Sequence, residues 1–218
     1  MMFHKTKAAI LNESHKPLLI EEIQLPIKLD AGQVFVEIFY TSICGAQINE
    51  IDAVKGVDKF LPHLLGHEAC AEVLEIGSGV RHVKPKDIVV LHWRPSLGIE
   101  AEPYKYLREN NSIVNAGWVT TFQQYAVISE NRMTVIPPWF DKKIAPLLGC
   151  AVTTAYGIVN YESQIRTGES VLIIGVGGVG LQIAQFAKLA GADTICAMDI
   201  DREKLNSAKK YANMTYLY

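Results

Sequence analysis

The sequence has 218 residues, of which 49% are hydrophobic and 20% charged, a composition typical of a globular protein with one large domain or two small ones. Lys and Arg number 21 against 23 Asp and Glu, for a net charge of -2, and this balance argues against nucleic-acid or membrane-surface binding. We see no signal peptide and no transmembrane segment, and the four cysteines are too far apart to suggest a disulfide framework, so we expect a soluble cytoplasmic protein.

The first part of the chain alternates short apolar segments with turn residues, a pattern that predicts β-strands. Partial alternation over residues 33–40, for example, places Val34, Val36 and Ile38 on one side of a strand. The strands are expected at residues 7–11, 18–24, 33–40, 70–76, 88–91 and 118–128. Short strands with turns between them favour a β-barrel or a sandwich.

The pattern changes after Pro137 and Pro138, where helices begin to alternate with buried strands. A helix is expected over residues 144–161. It is followed by a strand at 171–174, a helix at 179–189, a strand at 194–198, a helix at 202–212 and a candidate strand at 214–218. Strands that alternate with helices imply a parallel sheet. We therefore expect two domains, residues 1–145 and 146–218.

A Gly-x-Gly-x-x-Gly motif lies between the strand at 171–174 and the helix that follows it, which is typical of a dinucleotide-binding turn. Its residues are Gly175, Val176, Gly177, Gly178, Val179 and Gly180. Asp199 ends the next strand, where a carboxylate accepts hydrogen bonds from the adenosine ribose and repels a 2′-phosphate. The motif therefore favours NAD over NADP, although Arg202 lies nearby. The alternative interpretation is a glycine-rich turn without a ligand.

Two cysteines and one histidine are candidate metal ligands. Cys44 follows a predicted strand, His67 follows a turn-prone segment, and Cys150 precedes the glycine motif. Two thiolates and an imidazole can hold zinc with a fourth position open. The separations are too long to carry meaning on their own, however, and each cysteine taken alone is more typical of a small buried apolar residue.

Taken together, these motifs resemble the zinc-dependent alcohol dehydrogenases of the medium-chain dehydrogenase/reductase superfamily. The resemblance runs from about residue 7 to residue 205. The matching segments are Cys44-Gly45, Gly66-His67-Glu68, Glu75-x-Gly77-x-Gly79-Val80, Lys86-Asp87-x-Val89, Thr121-Phe122-x-x-Tyr125, Cys150-x-x-x-Thr154-Ala155-Tyr156, Gly175-x-Gly177-Gly178-x-Gly180 and Asp199-x-Asp201-x-x-Lys204.

The resemblance implies a GroES-like β-barrel catalytic domain followed by a Rossmann domain, with the active site between them. It also implies zinc ligation by Cys44, His67 and Cys150, with Glu68 as a supporting or transient ligand. Thr154 would lie against the nicotinamide, and Lys204 would join Asp199 at the ribose. The implied reaction passes a hydride between a small alcohol, polyol, aldehyde or ketone and NAD while zinc polarises the substrate oxygen.

Three features depart from the family pattern. Ala46 stands where the family commonly has a hydroxyl residue, so the residue that relays the proton is unassigned. Gln47 stands where the family commonly has Asp, so the negative charge that this Asp would place near the metal ligands is missing. Residues 92–118 contain no cysteine, so we expect one catalytic zinc and no structural zinc. The sequence also supplies only part of a Rossmann domain, which we interpret as the N-terminal, truncated part of such an enzyme and, at full length, of a homo-oligomer.

Two alternatives stay open. The chain can be an inactive zinc- or nucleotide-binding remnant of such an enzyme, which turnover of an alcohol by the chain itself would exclude. It can also be a zinc-free reductase of the quinone-reductase type that favours NADPH. The three candidate metal ligands and Asp199 argue against that second interpretation.

Overall fold

The computed structural model describes residues 5–26 and 28–218. The chain folds into two compact units, Met1–Cys150 and Ala151–Tyr218. The division falls after Cys150, five residues beyond the boundary expected from the sequence. Among the described residues, no helix combines the length and the apolar character needed to cross a membrane.

The first unit contains two five-stranded antiparallel sheets. The strands are β1 (Lys5–Leu11), β2 (Leu19–Gln24), β3 (Gln33–Thr41), β4 (His63–Leu64), β5 (Ala69–Ile76), β6 (Ile88–Leu91), β7 (Tyr106–Leu107), β8 (Ile113–Val114), β9 (Tyr125–Ser129) and β10 (Met133–Val135). One sheet has the order β4-β1-β2-β7-β8 and the other β10-β6-β5-β3-β9. This arrangement agrees with the β-barrel or sandwich expected from the strand pattern and with the GroES-like domain that the family resemblance implied.

Strand β3 contributes to two hydrophobic cores because its successive side chains point to opposite faces. Val34 and Val36 join a core built from the second sheet, together with Val73 and Val89. Phe35 faces the other way, into a core that also contains residues of the first sheet such as Ile10. Both faces of β3 are therefore buried, which explains why its sequence is apolar at consecutive positions.

One predicted strand of the first unit needs correction, and four short strands (β4, β7, β8 and β10) and one helix were not predicted. The strand expected at 118–128 begins only at Tyr125, because the backbone N–H groups of Thr121 and Phe122 both donate to the carbonyl of Leu65, at 3.0 and 3.1 Å. Two successive donors on one carbonyl do not fit a strand ladder. A short helix, α1 (Gly45–Ile51), was not predicted at all.

The helix expected at 144–161 is broken into three pieces, a 3₁₀ segment at Ala145–Gly149, helix α2 at Ala151–Gly157 and a π-helical turn at Ile158–Glu162. Gly149 explains the first break. A Cβ at this position would lie 2.4 Å from the carbonyl oxygen of Leu91. The backbone of Gly149 therefore packs directly against the end of β6, and we attribute the interruption of the helix to this close approach. Cys150 then takes an irregular conformation, with φ -145° and ψ -72°.

The second unit carries a parallel sheet in the order β11-β12-β13, formed by β11 (Ser170–Ile174), β12 (Thr194–Asp199) and β13 (Met214–Leu217). Helix α3 (Gly178–Leu189) connects β11 to β12, and α4 (Arg202–Ala208) connects β12 to β13. Apolar residues of the sheet and both connecting helices form one core, which includes Ile173, Ala184, Ile195 and Leu205. This is the partial Rossmann sheet that the βαβ pattern predicted, except that α4 ends four residues earlier than expected.

Candidate functional site

Four potential metal ligands of the first unit lie together. Their ligand atoms are all within 4.8 Å of one another, and the residues are Cys44, His67, Glu68 and Cys150. Cys150 and Glu68 are buried, and the other two are half-buried. The fold thus brings together four residues that are distant in sequence, and we call this group the ligand cluster.

Strand pairing explains how the ligand cluster forms. Strands β3 and β5 are antiparallel, and Thr41 at the end of β3 pairs with Ala69 at the start of β5. Cys44 follows the first of these strand ends, and His67 with Glu68 precedes the second, so all three emerge at the same edge of the sheet. The Thr41 hydroxyl strengthens this junction by donating to the Glu68 carbonyl at 2.9 Å.

Two glycines allow the backbone to approach closely at this edge. Gly66 has φ +90°, and a Cβ there would lie 2.3 Å from the Thr121 hydroxyl oxygen. Gly149, directly before Cys150, would place a Cβ 2.8 Å from the Cβ of Glu68. These contacts bring Cys150 beside Glu68, and they give the two glycines a steric role at the ligand cluster.

The imidazole of His67 has one nitrogen engaged and one without a partner. Nδ1 contacts the side-chain amide nitrogen of Gln47. Nε2 is buried and has no hydrogen-bond partner among the described residues. Burial also lowers the pKa of His67, which favours the neutral ring that a metal ion requires.

The ligand cluster fits zinc in chemistry and in size. Two thiols, one imidazole and one carboxylate are the donors that zinc commonly binds. Tetrahedral zinc with ordinary bond lengths would hold its ligands about 3.3–3.8 Å apart, so side chains within 4.8 Å need only small movements. The unpartnered Nε2 of His67 would gain the partner that it lacks.

In the second unit, the glycine motif forms a tight turn between β11 and α3. Gly175 has φ +87°, and its N–H donates to the Met198 carbonyl at 2.8 Å. A Cβ on Gly180 would lie 1.9 Å from the Gly175 carbonyl oxygen, so only glycine fits there. By contrast, a Cβ on Gly177 or Gly178 would meet no atom within 4 Å in the described part of the chain, apart from its chain neighbours and the adjacent helix backbone.

The open space at Gly177 and Gly178 matters because the protein itself does not require glycine there. Gly177 is the N-cap of α3 and has ordinary backbone angles, φ -69° and ψ -158°. A glycine without internal steric need is typical of a position where a ligand approaches the backbone. Val179, also predicted at this site, lies half-buried in the first turn of the helix.

Asp199 lies at the end of β12, beside this turn. Its Oδ2 accepts the N–H of Val176 at 2.8 Å, and its Oδ1 accepts the N–H of Asp201 at 2.9 Å. These two backbone donors lower the pKa of Asp199 against the opposing effect of burial, and the charge of Lys204 adds to the decrease. The carboxylate is therefore negatively charged at neutral pH.

The remaining predicted residues lie in the helices of the second unit. The ammonium group of Lys204, in α4, is 3.8 Å from an Asp201 carboxylate oxygen. Thr154 is half-buried in α2, a helix that packs against α3.

Asp199 lines a cavity of about 380 Å³ together with Ile174, Gly175, Met198, Ile200 and Tyr218.

One contact at the ligand cluster was not anticipated. The sequence marks Gln47 only as a departure from the family pattern, yet its side chain contacts both Cys44 and His67. A signal existed in the sequence, because Gln47 is the third residue after the helix cap Cys44. Gln three residues after an N-cap is the spacing of a capping box.

Residues 30–138 match the alcohol dehydrogenase GroES-like domain family. The class-3 alcohol dehydrogenase of Zea mays is 30% identical over 234 residues, which cover 94% of this chain and 60% of the relative. An NDMA-dependent alcohol dehydrogenase of Amycolatopsis methanolica is 28% identical over 218 residues, covering 89% and 58%. The chain therefore spans about 60% of the length of the curated relatives it matches.

Solved structures agree on the fold. A structure titled alcohol dehydrogenase zinc-binding domain protein, from Burkholderia ambifaria, has a TM-score of 0.88 and 24% identity over 98% of this chain and 64% of its own. Benzyl alcohol dehydrogenase from Acinetobacter calcoaceticus has a TM-score of 0.84 and 22% identity, with the same coverage of both chains. The chain therefore belongs to the alcohol dehydrogenase family with a GroES-like domain, an oxidoreductase family within the medium-chain dehydrogenase/reductase superfamily.

Proposed function

We propose that the chain carries the zinc site and the NAD-binding turn of an oxidoreductase. This enzyme would transfer a hydride from a small alcohol or polyol to NAD, or in the reverse direction from NADH to an aldehyde or ketone. The observation that carries this proposal is the ligand cluster, in which four donors from distant parts of the sequence lie within 4.8 Å of one another. Membership of an alcohol dehydrogenase family supports the reaction class.

Cys44, His67 and Cys150 would hold a single catalytic zinc, and Glu68 would support it or join it transiently. A bound zinc ion supplies Lewis acidity, which polarises a substrate oxygen. His67 would bind the zinc through Nε2, which is buried and for which the described residues offer no hydrogen-bond partner. Burial of Glu68 and Cys150 restricts water around these donors, and electrostatic interactions are stronger in such surroundings.

For the cofactor, we propose NAD rather than NADP. The charged carboxylate of Asp199 uses one lone pair on each oxygen for backbone donors, so each oxygen can still accept from a ribose hydroxyl. The same charge would repel a 2′-phosphate. Gly177 and Gly178 leave space for a pyrophosphate at the start of α3, and Thr154 is our candidate for contact with the nicotinamide.

The test is alcohol-dependent reduction of NAD by the purified chain, measured at the absorbance of NADH with primary alcohols, secondary alcohols and polyols. Protein loaded with zinc should show activity that is lost after chelation and restored by zinc alone. The Cys44→Ala variant should show no restoration. The proposal would be contradicted if chelation left the activity unchanged, or if the chain bound neither zinc nor NAD.

A further inference from the structure

Gln47 is a buried polar side chain that connects two of the proposed metal ligands. Only 3% of its surface is exposed. Its Oε1 accepts the backbone N–H of Cys44 at 3.2 Å, and its Nε2 contacts Nδ1 of His67. The amide thus lies between a fixed donor and an imidazole nitrogen.

The Cys44 N–H determines which way the amide points. A side-chain amide offers an acceptor at one end and donors at the other. If the Gln47 amide were turned over, its NH₂ group would face the Cys44 N–H, and two donors would oppose each other. The oxygen therefore faces Cys44, and the NH₂ group faces His67.

This orientation determines the tautomer of His67. A donor at Nδ1 is satisfied only if that nitrogen is an acceptor, so the single proton of the neutral ring must be on Nε2. That nitrogen is buried, and nothing in the described part of the chain forms a hydrogen bond with it. Zinc bound at Nε2 requires the opposite tautomer, with the proton on Nδ1. Both tautomers are neutral, so the difference is one of proton position and not of charge.

We propose that Gln47 is a positioning residue that holds His67, when no metal is bound, in the tautomer opposite to the one that zinc requires. This inference rests on the proposed zinc site. When zinc binds, the amide must turn its oxygen towards Nδ1 and give up the Cys44 N–H. Zinc binding is therefore weaker than the donor set alone would allow.

A carboxylate at position 47 would remove the conflict, because its two oxygens can accept from the Cys44 N–H and from Nδ1–H at the same time. Partners of a metal-bound histidine typically change metal affinity 10- to 100-fold, so the Gln47→Glu variant should bind zinc about 10- to 100-fold more tightly. Asn49→Asp provides the matched control. It adds the same charge two residues along α1, at an exposed position.

The experiment measures the tautomer directly in metal-free protein. Long-range ¹H–¹⁵N spectra of histidine-labelled chain distinguish a protonated Nδ1 from a protonated Nε2, and the signals of His67 are assigned by their absence in His67→Asn. We expect Nε2–H in the wild type and Nδ1–H in Gln47→Glu. Nδ1–H in the metal-free wild type would overturn the proposal, whether or not Gln47→Glu folds.

Zinc affinity is measured by competition with a chromophoric chelator. The proposal expects tighter binding by Gln47→Glu and an unchanged or slightly increased affinity for Asn49→Asp. An equal increase in both variants would show that charge alone is responsible and would contradict the tautomer argument. If no variant binds zinc while the wild type shows Nε2–H, the proposed zinc site fails but the role of Gln47 stands.

Discussion

The carboxylate of Asp199 accepts the backbone N–H of Val176 at 2.8 Å, which connects the end of β12 to the second residue of the glycine motif. This hydrogen bond holds the charge of Asp199 beside the turn where we place the cofactor. Its second oxygen is held in the same way by the N–H of Asp201, at 2.9 Å. The group is thus oriented before any ligand arrives, so binding need not order it.

The first prediction concerns cofactor selectivity. Asp199→Asn removes the charge and one acceptor but keeps the shape of the side chain. NAD should bind about 10- to 100-fold more weakly, as expected for lost hydrogen bonds to a charged group, and the preference for NAD over NADP should fall, even though the new NH₂ group also opposes one of the two backbone donors. Titration calorimetry with both cofactors measures this. Asp193→Asn, the same change at an exposed residue directly before β12, is the control, and an equal loss in both variants would contradict the ribose assignment.

The second prediction separates two glycines of one motif. Gly180→Ala would place a Cβ 1.9 Å from the Gly175 carbonyl oxygen, so it should lower the free energy of unfolding by about 1–3 kcal/mol. The Cβ of Gly177→Ala would meet no described residue within 4 Å beyond its chain neighbours, so this variant should fold normally, yet it should weaken NAD binding because a ligand approaches there. Thermal unfolding and NAD titration measure the two effects. Normal NAD affinity in Gly177→Ala would argue that the turn binds no pyrophosphate.

The third prediction concerns Glu130, which is only 1% exposed. Its carboxylate accepts the N–H groups of Arg81 at 2.6 Å, His82 at 2.9 Å and Ile99 at 2.8 Å. Burial by itself would raise the pKa of Glu130, but these donors outweigh it and lower the pKa. Glu130→Gln places an NH₂ group against one or more of these donors and should cost about 1–3 kcal/mol of unfolding free energy.

The sign of the pH dependence follows from the lowered pKa. The stabilisation by Glu130 is complete above the pKa of the unfolded state, about 4.3, and is lost as the pH falls through the lower pKa of the folded state. Urea unfolding at pH 7 and below pH 4 should therefore show a large wild-type advantage over Glu130→Gln at neutral pH and a smaller one in acid. Glu102→Gln, at an exposed position, should show neither effect. A difference independent of pH would contradict this role of the carboxylate.

The elements of the second unit could largely be predicted, because periodicity and glycine placement are local properties of the sequence. β11, α3 and β12 were each predicted to within one residue at either end. The early end of α4 and the broken helix before the glycine motif could not be predicted. The latter depends on Gly149 passing β6 at the Leu91 carbonyl, a contact between segments distant in sequence.

The ligand cluster also depends on contacts between segments that are distant in sequence, so its assembly could not be predicted from local patterns. Cys44 and His67 meet because Thr41 of β3 pairs with Ala69 of β5, and this register is set by packing across two sheets. No residue spacing encodes it, so residue type alone made Cys44, His67 and Cys150 candidate ligands, and the family resemblance was needed to favour that interpretation and to add Glu68. The hydrogen bond from the Cys44 N–H to Gln47 has a local signal, the capping-box spacing, but no sequence pattern reveals the contact between Gln47 and His67.

The central claim is that Cys44, His67 and Cys150 hold one zinc ion, and the most direct test is metal stoichiometry with cobalt as a spectroscopic probe. The chain should bind one zinc or one cobalt ion. Bound cobalt should show the intense visible bands of tetrahedral coordination and the near-ultraviolet charge-transfer bands of thiolate ligands. These bands should weaken in Cys44→Ala and Cys150→Ala but not in Cys196→Ala, a cysteine outside the ligand cluster. A metal-replete chain that holds no zinc, or cobalt spectra without thiolate bands, would contradict the account.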